Sequence, residues 1–193
     1  MKKLLGILVV GLLVITAPSF AGSIRDFQIE GMSIGDNLLD FFSEEEIEKR
    51  DLFYYPNSNK FVGISFRKQS FYKTYDEVQF TITLKDKKIY NIGGRLDFDK
   101  DIEGCNKKKD EITEELSTTL KGDVVIRDAG TFKHTYDKSG KSTVSAIYFE
   151  FKNNRGSIKV QCYDWDDNMP YSDILMVTID TEEYRNFLKY EAY

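Results

Sequence analysis

The chain is poor in the residues on which common metal and redox sites depend. Its 193 residues include a single histidine, His134, and two cysteines, Cys105 and Cys162. One histidine cannot form the usual multi-histidine zinc site, and two cysteines that pair with each other supply no thiolate ligands. The Cys-x-x-Cys spacing that tunes a reactive thiolate is also missing. We therefore expect no metal and no cofactor.

Surplus basic charge is absent as well. The sequence has 27 lysines and arginines against 32 aspartates and glutamates, a net charge of −5. Proteins that bind nucleic acid neutralise phosphates with concentrated basic charge. The composition therefore argues against a nucleic-acid partner.

No hydrophobic run is long enough to span a bilayer. The apolar run of residues 4–15 is 12 residues long, short of the ~20 that a span needs. It follows Lys2 and Lys3 and precedes Pro18-Ser19-Phe20-Ala21, which is typical of an export signal cut after Ala21. We expect a mature domain of residues 22–193, without a membrane span, that is periplasmic or secreted.

The cysteine pair is predicted to form a disulfide, because export leads to an oxidising compartment. Cys105 lies on the apolar face of a predicted helix over residues 102–120, and Cys162 shares its side of a strand with Ile158 and Val160. Both thiols should therefore face one helix–sheet interface. A bond between them would close a loop of about 58 residues, which stabilises a fold by ~4 kcal/mol in the chain-entropy model.

The order of hydrophobic patterns predicts an α+β fold. Helical patterns at residues 36–50 and 102–120 each precede a run of strand patterns joined by hairpin-length turns, which favours antiparallel pairing. We expect an antiparallel sheet with helices on one face. Two degenerate helix-plus-three-strand halves are one interpretation of this order. The strand patterns cover residues 61–66, 77–84, 89–98, 124–136, 143–151, 157–165 and 174–179.

Local signals refine this prediction. Ser43 with Glu46, and Asp180 with Glu183, have capping-box spacing at helix starts. The doublet Gly93-Gly94 inside a strand indicates a bulge or a close backbone approach.

One sequence motif suggests a serine hydrolase. The segment from Gly31 to Gly35 matches Gly-x-Ser-x-Gly around Ser33, between a predicted strand and a helix. Several parallel strands precede such an elbow in that fold, whereas here about 11 mature residues do, and the base would have to be His134. We interpret the motif as a turn and assign no catalytic residue.

The densest acidic cluster, together with neighbouring aromatic residues, is a candidate binding site. Asp164, Asp166 and Asn168 have the spacing of the first calcium ligands of an EF-hand, but Met169 and Leu175 occupy the glycine and bidentate-glutamate positions. Aromatic rings beside carboxylates can also bind a sugar, and paired carboxylates can hydrolyse one. A solvated turn is the plain alternative. The candidate residues are Tyr163, Asp164, Trp165, Asp166, Asp167 and Tyr171.

A second candidate is the basic, aromatic loop of residues 66–75. Arg67, Phe71 and Tyr72 are residue types that protein interfaces favour at their centres. The alternative is an ordinary loop whose rings fold onto the core.

A resemblance accompanies these patterns. The segment FQIEGMSIGDNLLDFFS, residues 27–43, resembles the opening of uncharacterised small exported bacterial proteins, which implies no activity. The Gly31-Met32-Ser33 step into a helix followed by antiparallel strands is more loosely similar to small outer-membrane assembly lipoproteins and β-lactamase-inhibitor-like folds. Those are binding modules. This chain lacks the lipoproteins' lipidated cysteine.

Together these patterns predict a non-catalytic exported domain that binds a protein or envelope component through exposed aromatic residues. No nucleophile, base and orienting group form a coherent set. The alternative is a hydrolase or carbohydrate-active protein that uses the Asp164–Asp167 cluster.

Overall fold

The computed structural model describes residues 23–152 and 155–193, so the predicted export signal lies outside the described residues. The strands there are β1 (Phe53–Tyr55), β2 (Ser58–Arg67), β3 (Glu77–Ile82), β4 (Ile89–Asp97), β5 (Val124–Lys133), β6 (Thr143–Phe151), β7 (Ser157–Asp164) and β8 (Ile174–Asp180). The helices are α1 (Glu44–Glu48), α2 (Ile102–Thr119) and α3 (Glu182–Tyr190). None of these helices combines the length and the apolar character that crossing a membrane requires.

The strands form one antiparallel sheet, which confirms the predicted α+β class. Their order is β1-β2-β3-β4-β8-β7-β6-β5, so two consecutive four-strand units meet where β4 pairs with β8. Each unit therefore has four strands, whereas the sequence patterns mark three in the first unit and four in the second. The additional strand, β1, is three residues long, too short for an alternating pattern to mark it in the sequence.

Side chains of each strand alternate between two faces of the sheet. On one face, here called the covered face, apolar side chains are buried beneath α1, α2 and the N-terminal turns. Burying such a side chain fully contributes about 1.5–3 kcal/mol, so this face supplies most of the hydrophobic stabilisation. It includes Ile64, Phe80, Ile92, Val160 and Val177 from the strands, with Ile47 of α1 and Ile112 of α2.

The predicted disulfide is present and links α2 to the sheet. Cys105 and Cys162 are bonded, their Cα atoms are 6.0 Å apart, and both are fully buried in the covered-face core. The bond closes a sequence separation of 57 residues, so it restrains the position of α2 against β7.

Helix α3 departs from the expected one-faced arrangement. Its Phe187 packs edge-on against Phe61 of β2, at a ring-centroid distance of 4.9 Å, in a small cluster separate from the main core. Phe61 points away from the covered face because its neighbour Val62 belongs to that core. Helix α3 therefore shields one end of the opposite face.

The two predicted capping boxes have different outcomes. Ser43 and Glu46 cap α1 reciprocally, as predicted. The Asp180 cap is wrong, because Asp180 is the last residue of β8 and the side chain of Thr181 accepts the hydrogen bond from the Tyr184 amide. Threonine is also a favoured N-cap residue, so the sequence alone did not decide between Asp180 and Thr181.

The glycine doublet of β4 marks a close approach to a ring. A Cβ at Gly94 would lie 2.6 Å from ring atoms of the buried Tyr75, whereas one at Gly93 would meet the flexible end of Met176 at 3.0 Å. The irregularity in the β3–β4 register falls elsewhere, between Thr81 and Ile82. Gly94 therefore provides space for Tyr75.

We predict that Gly94→Ala lowers the free energy of unfolding by about 1–3 kcal/mol, because the added methyl group overpacks against Tyr75. Gly93→Ala is the matched control and should cost less, since the end of Met176 can move. Urea unfolding of both variants measures the difference. Equal destabilisation would contradict the role assigned to Gly94.

Candidate interaction surface

The face of the sheet opposite the covered face is here called the open face. Its side chains include Gly63, Ser65 and Arg67 of β2, Glu77, Gln79 and Thr81 of β3, Asn91, Gly93, Arg95 and Asp97 of β4, Ile174, Met176, Thr178 and Asp180 of β8, Lys159, Gln161 and Tyr163 of β7, Val144, Ala146, Tyr148 and Glu150 of β6, and Arg127 and Phe132 of β5. Apart from the end near α3, no described helix packs on it. Most of this face is therefore not covered by a helix of the described residues, although some of its side chains, such as Val144 and Thr81, are buried.

Charges on the open face neutralise one another across strands. Arg67 and Arg95 both bond Glu77 and Asp97, Lys159 pairs with Asp180, and Arg127 lies 3.5 Å from Glu150. Opposite charges on neighbouring strands stabilise a sheet modestly. Their larger consequence is that the face has no strong field of either sign, although the chain is net acidic.

Five aromatic rings meet at one corner of the open face and form what we call the aromatic patch. They are His134, Tyr136, Tyr163, Trp165 and Tyr171. The Trp165 ring is central, with centroids 4.5 Å from His134 and 4.7 Å from Tyr171, and it stacks at 16° to Tyr163. The rings of Tyr136 and Tyr171 lie 6.2 Å apart. These distances are typical of favourable aromatic pairs.

The patch has a half-buried base, formed by Tyr163 and Trp165, and an exposed rim. Burial raises the pKa of Tyr163 to about 12. Tyr136 and Tyr171, in contrast, are 62% and 39% exposed. An apolar row continues the patch across the sheet, from Phe132 through Val144 and Tyr163 to Ile174.

Two buried aspartates hold the loops that present the patch. The Asp137 carboxylate accepts hydrogen bonds from the backbone and hydroxyl of both Ser139 and Ser142, which hold its pKa well below the usual range. Asp173 is 2% exposed and accepts a 2.9 Å hydrogen bond from the Trp165 amide. Ser142 also accepts from the Asp166 amide, so the two loops are joined.

The predicted acidic residues lie beside the patch, but each has its own partner. Asp164 accepts from the Thr143 hydroxyl at 3.3 Å, and Asp167 lies 3.6 Å from Lys100. Asp166 accepts from both the backbone and the amide of Asn168, and these bonds lower the pKa of Asp166. A glycosidase acid needs a raised pKa, so Asp166 lacks the property expected of that role.

The calcium alternative finds no support in this turn. Asn168 donates to Asp166 through two nitrogens instead of directing oxygens towards a shared centre. Across residues 23–152 and 155–193, no group of three histidine, cysteine or acidic residues is placed to hold a metal ion.

The second predicted site is not brought together. Arg67 lies on the open face, where it donates to Glu77 at 3.1 Å. Phe71 packs against Phe42 at 5.7 Å on the covered side, and Tyr72 is half-buried against the covered-face core. The sheet therefore separates Arg67 from the two rings.

Glu30 explains why this loop folds onto the core. Its carboxylate accepts hydrogen bonds of 2.7 Å from the backbone amides of Lys73, Thr74 and Tyr75. The loop therefore resembles an ordinary loop whose rings fold onto the core, which was the alternative predicted from the sequence, more than a free interface loop.

His134 and Tyr136 were missed as members of the site. The sequence alone placed His134 in an ordinary strand, but β5 ends at Lys133 and the histidine ring contacts Trp165, 31 positions away. The signal that was available is the alternation of Phe132, His134 and Tyr136, which puts three rings on one side of an extended segment.

Ser33 does not have the setting of a nucleophile. Its side chain is buried, and the hydroxyl donates to the Phe27 carbonyl oxygen at 3.1 Å. The Gly-x-Ser-x-Gly segment is a turn that positions residues of the N-terminal core.

Comparisons with known proteins give no family for this chain. No protein-family model matches it, and neither a curated protein nor a solved structure is significantly similar. The resemblances of residues 27–43 stay predictions.

We predict that His134 titrates below its ordinary pKa of 6.5, because burial among the rings disfavours the charged form more than Asp137 favours it. The folded state therefore binds the proton more weakly than the unfolded chain does. As the pH falls below about 6.5, the unfolded chain is protonated first, and the free energy of unfolding decreases. Protonation also removes the Nδ1 acceptor of the Tyr136 amide.

An NMR titration of the single histidine tests this directly. His134→Gln should flatten the fall in stability between about pH 7 and about pH 5. A midpoint at or above 6.5 would refute the assignment.

Proposed function

We propose that this protein is an exported, non-catalytic interaction domain that binds a protein partner through the open face of its sheet, with the aromatic patch as the anchor. The observation that carries the proposal is the patch itself, five rings that meet at the accessible corner of a face that the helices leave uncovered. Tyrosine and tryptophan dominate the binding energy of protein interfaces.

Preorganisation of the patch supports this proposal. The loops that present it are tied by the hydrogen bonds of Asp137, Ser142 and Asp173. Binding through residues that are already ordered costs less conformational entropy.

The charge balance of the open face supports a protein partner over a polyanion. Its arginines and Lys159 are engaged by acidic neighbours, so few free cations face outwards there. Nucleic acids and anionic lipid surfaces are bound through concentrated basic charge.

The hydrolase alternative has weaker support. Asp164, Asp166 and Asp167 bond separate neighbours. The more deeply buried Asp173, whose pKa is raised by burial, is occupied by the Trp165 amide. A sugar ligand remains an outcome that the experiment below distinguishes.

We predict that Tyr136→Ala and Tyr171→Ala each weaken partner binding about tenfold or more, as expected for exposed anchors of an interface.

A photo-crosslinking amino acid at position 132 should trap one discrete protein adduct in envelope material. The same residue at position 107, on the exposed side of α2, should not. The adduct, once identified and purified, gives the affinities by calorimetry.

Tyr54→Ala is the matched control, because Tyr54 is 52% exposed but pairs with Val62, on the covered side. The proposal fails if Tyr54→Ala weakens binding as much as Tyr136→Ala, or if adducts form only from position 107. Binding of a neutral glycan that depends on Tyr136, without a protein adduct, would favour the carbohydrate alternative.

We infer export from the features of residues 1–21 together with the disulfide, since thiols persist unpaired in reducing compartments. The compartment is then the periplasm or the exterior.

We predict that native material has the mass of residues 22–193 with two hydrogens fewer than the reduced chain, owing to the Cys105–Cys162 bond. Intact-mass spectrometry before and after reduction checks both points. A chain that retains Met1 and both thiol hydrogens would contradict export.

A further inference from the structure

A groove of about 300 Å³ lies on the open face, beside β1 and α3 and separate from the aromatic patch. The smaller residues Gly63 and Ser65 of β2 form part of its lining, together with Thr81 of β3 and Asn91 of β4. Gly63 has no side chain to fill the groove, and a Cβ there would lie only 3.3 Å from the Phe53 side chain.

Aromatic rings form one wall of the groove. Phe53 is 55% exposed, and its ring stands at 86° to that of Tyr55, with centroids 5.2 Å apart. The Tyr55 and Tyr184 hydroxyls are joined by a 2.6 Å hydrogen bond, which fixes the wall to α3. Tyr55 is 6% exposed and supports the wall, so the exposed ring of Phe53 is the one whose face can attract a cation.

The polar floor is neutral, and much of its hydrogen-bonding capacity is already used. Thr81 donates to the Asn91 side-chain oxygen, and the Asn91 amide donates to Asp180 at 2.6 Å. Asp180 is in turn neutralised by Lys159. The floor therefore contributes no net charge.

Asp51 is the one charged residue among the described residues that line the groove. Among the described residues, no lysine or arginine lies within ion-pair distance of it. The nearby Glu77 differs, because Arg67 and Arg95 both bond it. A groove with an exposed aromatic ring and a carboxylate, and with no neighbouring cation, favours a positively charged ligand and disfavours an anion.

We propose that this groove receives a lysine or arginine side chain of the protein partner, which places its apolar stem along the exposed ring of Phe53 and its charged end at Asp51. The proposal rests on the proposed function for the source of the side chain, but the groove's preference for a cation does not require the partner. It adds a specificity site to a face whose other charges are paired internally.

The test uses the mature chain alone, labelled with ¹⁵N, and three probes. N-acetyl-lysine-N-methylamide and N-acetyl-arginine-N-methylamide carry the charge, and N-acetyl-norleucine-N-methylamide has the lysine stem without it. The charged probes should shift the amide resonances of Gly63 and Thr81, and the norleucine probe should bind more weakly. Affinity for the charged probes should fall with added salt.

Asp51→Asn should weaken the lysine probe about fivefold, the scale of a partly exposed ion pair. Asp40→Asn removes the same charge from the covered side and should change nothing. The proposal is overturned if the norleucine probe binds as tightly as the lysine probe, or if Asp51→Asn binds the lysine probe as tightly as the unmodified chain does. It is also overturned if the Gly63 and Thr81 resonances do not shift. Because no partner is present, that failure is independent of the crosslinking result at the aromatic patch.

Discussion

The pairing of β4 with β8 is the constraint on which the rest of the structure depends. Seven consecutive residue pairs, from Asn91 with Asp180 to Asp97 with Ile174, join the two four-strand units into one sheet. A shift of one residue would move every side chain of one unit to the other face. The covered core, the disulfide and the open face therefore all require this register.

The same register gives the open face its electrostatic character. It sets Asn91 against Asp180 at a hydrogen-bond distance of 2.6 Å, and Lys159 of the next strand completes the neutralisation of that buried carboxylate. An unpaired charge at this depth would cost several kcal/mol. Neutral pairing leaves Asp51, at the rim of the groove, as a carboxylate able to attract a cation from outside.

The two aromatic sites differ in how much the sequence could reveal. Tyr163, Trp165 and Tyr171 are close in sequence, so their proximity to one another was predictable. His134 and Tyr136 join them only because β5, β6 and β7 are adjacent and in register. Arg67, Phe71 and Tyr72 are not brought together for the converse reason, since neighbours in sequence lie on opposite sides of the sheet.

By itself, the sequence determined the α+β class, the antiparallel strands, the buried face of α2 and the Cys105–Cys162 pairing, because these follow from periodicity and from the chemistry of a chain with two cysteines. Only the tertiary structure decided the order of the strands, the position of α3 on the open face, the aromatic patch and the groove beside Asp51. These features arise from contacts between residues distant in the chain, and no local pattern encodes which strand becomes the neighbour of which.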